Sequence, residues 1–152
     1  MSMERNCFIY KTRVSFIITS PDIDLDTISG ELGIFPDRSF RKGDLVTSKH
    51  SPRVGREPYS LWAIQSQTYE SEDGVISHHI EYLKSILLPK IDVLKRYKED
   101  ARFGVAFRIW IQTNDSAIGL DLAESEIAFM NSVSNSIHFS LLTMSRSEWL
   151  RS

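Results

Sequence analysis

Residues 103–112, which read FGVAFRIWIQ, carry the strongest strand pattern in the chain. Large apolar side chains occupy every second position, at Phe103, Val105, Phe107, Ile109 and Ile111. A period of two is typical of a strand that buries one of its faces. Residues 8–19 repeat the pattern, with apolar side chains at Phe8, Tyr10, Val14, Phe16 and Ile18. These two segments predict the main strands of one sheet.

Helical spacing separates the strand-like segments. Residues 25–32 have apolar side chains at helical intervals, with Asp24 as the expected N-cap and Gly33 suited to the left-handed position after the last turn. A longer apolar stripe predicts a helix over residues 76–99, which Pro89 should kink or split. A third helix is expected to begin at Ser125 as its N-cap.

The remaining strands complete the fold prediction. Residues 59–67 and 137–141 are strand-like, and residues 117–122 are expected to form a hairpin with the 103–112 strand. The resulting order is β–α–loop–β–α–β–β–α–β. It predicts a single α+β domain over residues 1–152, with two layers and a mixed or antiparallel sheet of about five strands and three helices. Strand–helix–strand units at both ends suggest a duplicated ferredoxin-like arrangement.

Composition excludes several classes of protein. The chain has 152 residues, 41% of them hydrophobic and 25% charged, with a net charge of −2. This balance argues against a disordered chain and disfavours nucleic-acid binding. A single cysteine, Cys7, excludes an intramolecular disulfide framework and is expected to be a free thiol. The N-terminal residues lack the apolar run of a secretory signal, and no segment suggests a membrane span, so we expect a cytoplasmic protein.

The least regular part of the sequence is a long basic loop at residues 34–58. It contains six Lys or Arg residues against three Asp or Glu residues, a local charge of +3. A solvated loop is the simplest interpretation, and contact with an acidic protein surface or with phosphates is the functional one. The candidate contact residues of this loop are Arg38, Arg41, Lys42, Arg53 and Arg56.

Three further candidates lie on predicted strands. Trp62 and Trp110 are interpreted first as packing residues and second as aromatic anchors for a partner. Arg108 and Gln112 share a strand face with Trp110, and Lys11 shares one with Arg13. If these two faces coincide in the sheet, they form a polar and aromatic surface suited to a partner protein.

Other constellations point to structure rather than to chemistry. His78 and His79 are adjacent in a helix, a spacing that chelates one metal poorly, and the aspartates at 22, 24 and 26 fit helix capping better than a calcium loop. No phosphate loop, dinucleotide fingerprint or nucleophile elbow occurs. We therefore assign no catalytic, cofactor-binding or metal-binding residues and no cofactor, and enzymatic activity stays an open but less favoured possibility.

Four features of the sequence are similar to a known protein family. They are ITSPDIDLD at 18–26, ISGELGIFP at 28–36, the turn Arg41-Lys42-Gly43-Asp44, and Trp62. Over about residues 8–142, the chain resembles the bacterial DUF4279 family, whose function is unknown. The resemblance implies no activity and no site residues. Small bacterial domains of this kind often accompany toxins as immunity proteins, so the expected function is protein binding, with a cognate toxin as one partner. The alternative is a small-molecule binder or enzyme that uses a cleft beside the 34–58 loop.

Overall fold

The computed structural model describes residues 8–22, 24–47 and 54–144, and it contains eight strands and four α-helices within them. Cys7 and Arg53 lie outside the described residues. In chain order the elements are β1 (Tyr10–Ser20), α1 (Leu25–Leu32), β2 (Arg38–Phe40), β3 (Leu45–Thr47), β4 (Val54–Arg56), β5 (Ser60–Gln65), β6 (Tyr69–Ser71), α2 (Ser77–Leu87), α3 (Ile91–Glu99), β7 (Gly104–Thr113), α4 (Glu124–Val133) and β8 (Ser136–Thr143).

The main sheet is mixed and has the strand order β2-β5-β1-β7-β8, with β6 pairing the first residues of β1. Its pairs are antiparallel except for β7 and β8, which run parallel. The α+β class and the mixed sheet are therefore confirmed. The predicted strand at 117–122 is wrong, because both edges of β7 are already filled by β1 and β8. The structure shows no duplication of the strand–helix–strand unit.

The helices pack on one face of this sheet. Alternate residues of the central strands, such as Phe16, Trp62 and Phe107, are fully buried in one cluster with residues of all four helices. The rings of Phe16 and Phe107 meet edge to face at 5.2 Å between centroids. This layer of apolar side chains is the hydrophobic core. No helix in the described part of the chain is long and apolar enough to cross a membrane.

Local chemistry sets the helix ends. Asp24 Oδ1 accepts a hydrogen bond from the backbone N–H of Asp26 at 3.0 Å, and Gly33 takes the left-handed conformation with φ 65°. Both predictions for α1 are confirmed. The predicted 76–99 helix is split around Pro89 into α2 and α3, joined by a 3₁₀ turn over Leu88–Lys90. With this broken helix counted as one, the three predicted helices are present. The predicted N-cap of the third is wrong, because α4 begins at Glu124 and Ala123 is its N-cap.

The predicted irregular loop at 34–58 contains more order than its sequence indicated. Its β2 joins the edge of the main sheet beside β5, and β3 and β4 form a separate antiparallel hairpin. Each of these strands has three residues, too few for an alternating pattern to be recognised in the sequence. The long unstructured loop is therefore corrected to a short edge strand followed by a hairpin.

We expect Gly30→Ala to stabilise the protein by about 0.5–1 kcal/mol, because glycine is a poor residue inside a helix. A Cβ atom at position 30 would meet nothing within 4 Å, so alanine adds no clash. Gly33→Ala is the matched control and should destabilise, because its φ of +65° is strained for any L side chain. Urea denaturation measures both, and a destabilised Gly30→Ala variant would contradict the prediction.

Candidate functional site

The face of the sheet opposite the helices brings the predicted polar and aromatic residues together. In the pairing of β1 with β7, Lys11 faces Gln112, Arg13 faces Trp110 and Ser15 faces Arg108. Facing residues of paired strands point to the same side of a sheet, so the two predicted faces coincide. We call this surface the basic face; it comprises Lys11, Arg13, Ser15, Arg108, Trp110 and Gln112, with Arg38 of β2 and His138 and Ser140 of β8.

The centre of the basic face is a stacked pair. The guanidinium carbon of Arg13 lies 5.0 Å from the ring centroid of Trp110. Both side chains are half-buried, which strengthens the attraction between a cation and an aromatic ring relative to a fully hydrated pair.

Two arginines of this face have unsatisfied donors. The Nε atoms of Arg13 and Arg108 are buried and have no hydrogen-bond partner. Within the described ranges, the salt bridges join Arg41 to Asp26 and Arg102 to Asp100, so neither guanidinium is paired with a carboxylate. An unpaired buried donor costs about 1–3 kcal/mol, and such atoms call for an explanation. Because the Nε atoms are themselves buried, the terminal nitrogens are the guanidinium donors that a carboxylate from outside could meet.

The charge of the basic face is one-sided. Its cations are Lys11, Arg13, Arg108 and, at the β2 edge, Arg38. Against these four cations, the described strand residues that point to this side include one carboxylate, Glu70 of β6, which faces Lys11. The guanidinium carbon of Arg38 lies 5.6 Å from the ring centroid of Phe40 on the same strand. A chain of net charge −2 thus concentrates positive charge on one side of its sheet.

The other predicted contact residues lie elsewhere. Trp62 is fully buried on the helix side, and its Nε1 donates a hydrogen bond to Ser29 Oγ at 3.0 Å. Its assignment as a partner-binding residue is therefore wrong, and the packing interpretation is correct. Arg41 and Arg56 are exposed around the turn at 41–44, where Arg41 faces Asp26 at 3.8 Å and Arg56 donates to Gly43 O. Lys42 is exposed at the same turn.

Sequence analysis missed the contribution of β8. Because this strand pairs in parallel with β7, His138 lies beside Arg108 and Ser140 lies beside Trp110. Both side chains therefore extend the basic face, with His138 exposed and Ser140 half-buried. The sequence does alternate Ser136, His138 and Ser140 with Ile137 and Phe139, which is typical of a strand with two different faces. This alternation does not show which strand lies beside it.

A cleft of about 590 Å³ lies between α1 and the segment that leads into β2. Its lining is mixed: apolar residues such as Leu25, Ile34 and Phe40 alternate with the polar and charged residues Asp26, Ser29, Ser39, Arg41 and Asp44. Phe35 also lines it and is 91% exposed. The cleft lies beside the predicted basic loop, where the sequence analysis placed its alternative binding site.

The histidine pair forms a second, smaller polar group. His79 is buried, and its Nε2 lies 2.8 Å from Thr12 Oγ1 on β1. Burial, with repulsion from His78 as the smaller cause, lowers the pKa of His79 to about 4. Among the described residues, no three His, Cys, Asp or Glu side chains are grouped so that they can hold a metal ion. The environment of His79 therefore favours its neutral form.

The chain also has two acidic segments, residues 22–31 and 115–126, each with four carboxylates and no Lys or Arg. Tyr97 donates a hydrogen bond to Glu31, and Tyr10 donates one to Asp115 at 2.8 Å. Glu126 is buried, and its Oε1 accepts from the backbone N–H of Ala123 at 2.9 Å. These contacts tie several of the carboxylates to tertiary structure.

A family model with the description "Domain of unknown function (DUF4279)" matches residues 10–144. The chain belongs to the DUF4279 family. The matched region of this DUF4279 domain runs from the start of β1 to just past β8, and so contains the basic face and the cleft. No curated protein and no solved structure matches the chain.

Proposed function

We propose that this DUF4279 domain is a non-catalytic protein-binding domain whose basic face takes an acidic segment of a partner protein. The observation that carries the proposal is the pair of half-buried arginines, Arg13 and Arg108, whose Nε donors lack partners. Carboxylates of a partner would accept hydrogen bonds from the terminal nitrogens of these half-buried guanidiniums, and charge-assisted hydrogen bonds of this kind are roughly twice as strong as neutral ones. A toxin neutralised by an immunity-type protein is one partner of this description.

The residue types of the basic face favour a protein over a nucleic acid. Arginine and tryptophan are enriched among the residues that dominate protein interfaces, especially where neighbouring groups exclude water. Single-stranded nucleic acids need several aromatic platforms on which successive bases stack. At the centre of the basic face the one aromatic platform is Trp110, and Arg13 already covers it.

The test compares two variants that remove equal charge. Arg13→Gln with Arg108→Gln removes the unpaired donors, whereas Arg41→Gln with Arg56→Gln removes two exposed cations outside the basic face. We expect a protein captured from the host lysate by the wild type and by the second variant to be lost with the first. The captured protein is then purified, and its affinity is expected to fall about 100-fold for the first variant, a loss in the range of interface hot spots.

Two purified probes decide the class of partner. An acidic peptide rich in glutamate should bind the wild type more tightly than a single-stranded DNA of equal charge. Tighter binding of the DNA, with the steep salt dependence of phosphate contacts, would replace the proposal by nucleic-acid binding. Equal loss of affinity in both arginine variants would show that net charge alone, and not the basic face, accounts for binding.

A stability measurement tests the same arginine independently of any partner. We expect Arg108→Met to leave the free energy of unfolding unchanged or to raise it by about 1 kcal/mol, because the substitution removes an unsatisfied buried donor and keeps an aliphatic stem. An unchanged or raised free energy of unfolding is expected for a residue that serves binding and lowers the stability of the free protein. Destabilisation by more than about 1.5 kcal/mol would assign Arg108 a structural role instead.

The cleft beside α1 supports a second candidate function, the binding of a small molecule. The favouring observation is the open space at Gly30, a helix position where glycine has no packing reason within the chain. Ligand-observed NMR with a set of small aromatic compounds tests this function, and Gly30→Phe is the variant that fills the cleft. Binding that survives in this variant would exclude the cleft as the site.

A further inference from the structure

The two edges of the main sheet differ in how they are protected. One edge is β2, which has only three residues, follows closely on Pro36 and carries the charged Arg38. Short strands, prolines and charges are the usual means of preventing a sheet edge from pairing with another chain. The other edge is β8, whose eight residues SIHFSLLT include no Lys, Arg, Asp, Glu or Pro. No described strand pairs with its outer side.

Apolar side chains accompany this edge. Phe139, Leu141 and Leu142 of β8 are 44%, 51% and 48% exposed. Ile127 of the adjacent α4 is 48% exposed and lines a groove of about 730 Å³ between α4 and the start of β8. A long, uncharged edge strand bordered by exposed apolar residues has the features of a strand-pairing interface.

We propose that β8 pairs with β8 of a second copy of this chain, antiparallel and about a two-fold axis perpendicular to the sheet. A second copy fits because a strand without charged residues pairs with itself without like-charge repulsion. Such an interface is isologous, so each contact occurs twice. The inference is independent of the proposed binding function.

The side-chain pattern favours one register. Ile137, Phe139 and Leu141 point to the helix side, because their partners Phe107, Ile109 and Ile111 on β7 do. Facing residues of an antiparallel pair share a side of the sheet. A two-fold axis at Ser140 therefore places Phe139 of each copy opposite Leu141 of the other, and His138 opposite Leu142. The exposed apolar residues of the edge then cover one another.

The pairing would also join the two basic faces. Arg108 and His138 lie on the strands nearest the axis, so those of both copies would stand on one continuous sheet surface. A partner with two acidic segments, or a symmetric partner, would meet both faces together.

The oligomeric state tests the proposal. Sedimentation equilibrium at about 100 µM should show a wild-type dimer, and Leu141→Lys should weaken dimerisation by about 100-fold or more, because two cations would enter an apolar interface. Leu45→Lys is the matched control, since Leu45 is an exposed strand leucine in the β3–β4 hairpin, and it should leave the dimer intact. A monomeric wild type, or a Leu141→Lys dimer of unchanged affinity, would overturn the proposal.

A crosslinking experiment tests the register. In a Cys7→Ser background, Ser140→Cys should form an intermolecular disulfide on mild oxidation, because residue 140 faces its own copy within the reach of a disulfide. Ser136→Cys, near the far end of the strand, should not. A stable dimer in which position 140 fails to crosslink would overturn the proposed β8 pairing.

Discussion

Replacing Trp62 by alanine is expected to lower the free energy of unfolding by about 3–5 kcal/mol. Trp62 is fully buried on β5, the strand between β1 and β2, and is among the largest buried side chains of the described core. The substitution leaves a cavity, which adds a cost beyond the lost transfer of the indole from water. It also removes the hydrogen bond from Nε1 to Ser29 Oγ, which ties β5 to α1. Urea denaturation followed by circular dichroism measures the loss.

Trp110→Ala is the matched control for this prediction. Trp110 is half-buried on the basic face, and the guanidinium carbon of Arg13 lies 5.0 Å from the centroid of its ring. We expect this substitution to cost about 1 kcal/mol, in the range of a partly hydrated cation–π contact and a modest loss of packing. Equal destabilisation by the two substitutions would contradict the assignment of Trp62 to the core and Trp110 to the binding surface.

The outcome for the two tryptophans shows what strand patterns reveal. In 103–112 the alternation is strict, so the sequence already separates the buried apolar residues from the half-buried Arg108 and Trp110. In 59–67 both alternating positions are apolar, and Leu61 and Ala63 are buried on one side of the strand as Trp62 and Ile64 are on the other. Without a polar face to mark the outside, the sequence left the position of Trp62 open.

The failures of the sequence analysis concern pairing rather than local conformation. Residues 117–122 have alternating apolar side chains, yet Ile118, Leu120 and Leu122 pack against the core from a segment without regular secondary structure. This segment leads into α4, and the crossover through α4 allows β8 to lie parallel to β7. Local alternation specifies which side chains are buried, but not which strand becomes the neighbour. Because the sequence does not specify strand neighbours, the predicted duplication was wrong. The place of β8 beside β7 in the basic face was not predicted for the same reason.

Acidification from pH 6.5 to pH 4 is expected to destabilise the protein by about 3 kcal/mol through His79 alone. Burial lowers the pKa of this imidazole to about 4 in the folded chain, against about 6.5 when unfolded. Between these two values the unfolded chain binds a proton at this position and the folded chain does not. The free energy of unfolding therefore falls as the pH is lowered through this window, by about 1.4 kcal/mol per unit.

The structure explains why His79 resists protonation. Its side chain is 2% exposed, its Nε2 is occupied by Thr12 Oγ1 at 2.8 Å, and the ring centroid of His78 lies 4.0 Å away. Desolvation disfavours the charged form, and a second imidazolium nearby would add repulsion. Asp100, whose pKa is lowered to about 2 by Arg102, titrates below this window.

His79→Gln separates this contribution from the rest of the acid response. Glutamine keeps a group that can bond to Thr12 but does not titrate, so the variant should lose about 3 kcal/mol less than the wild type over the same pH range. Urea denaturation at intervals from pH 7 to pH 4 gives the two profiles. His78→Gln is the control, because His78 is exposed and its replacement leaves the buried imidazole in place. Parallel profiles for the wild type and His79→Gln would show that His79 is not the residue through which acid destabilises this core.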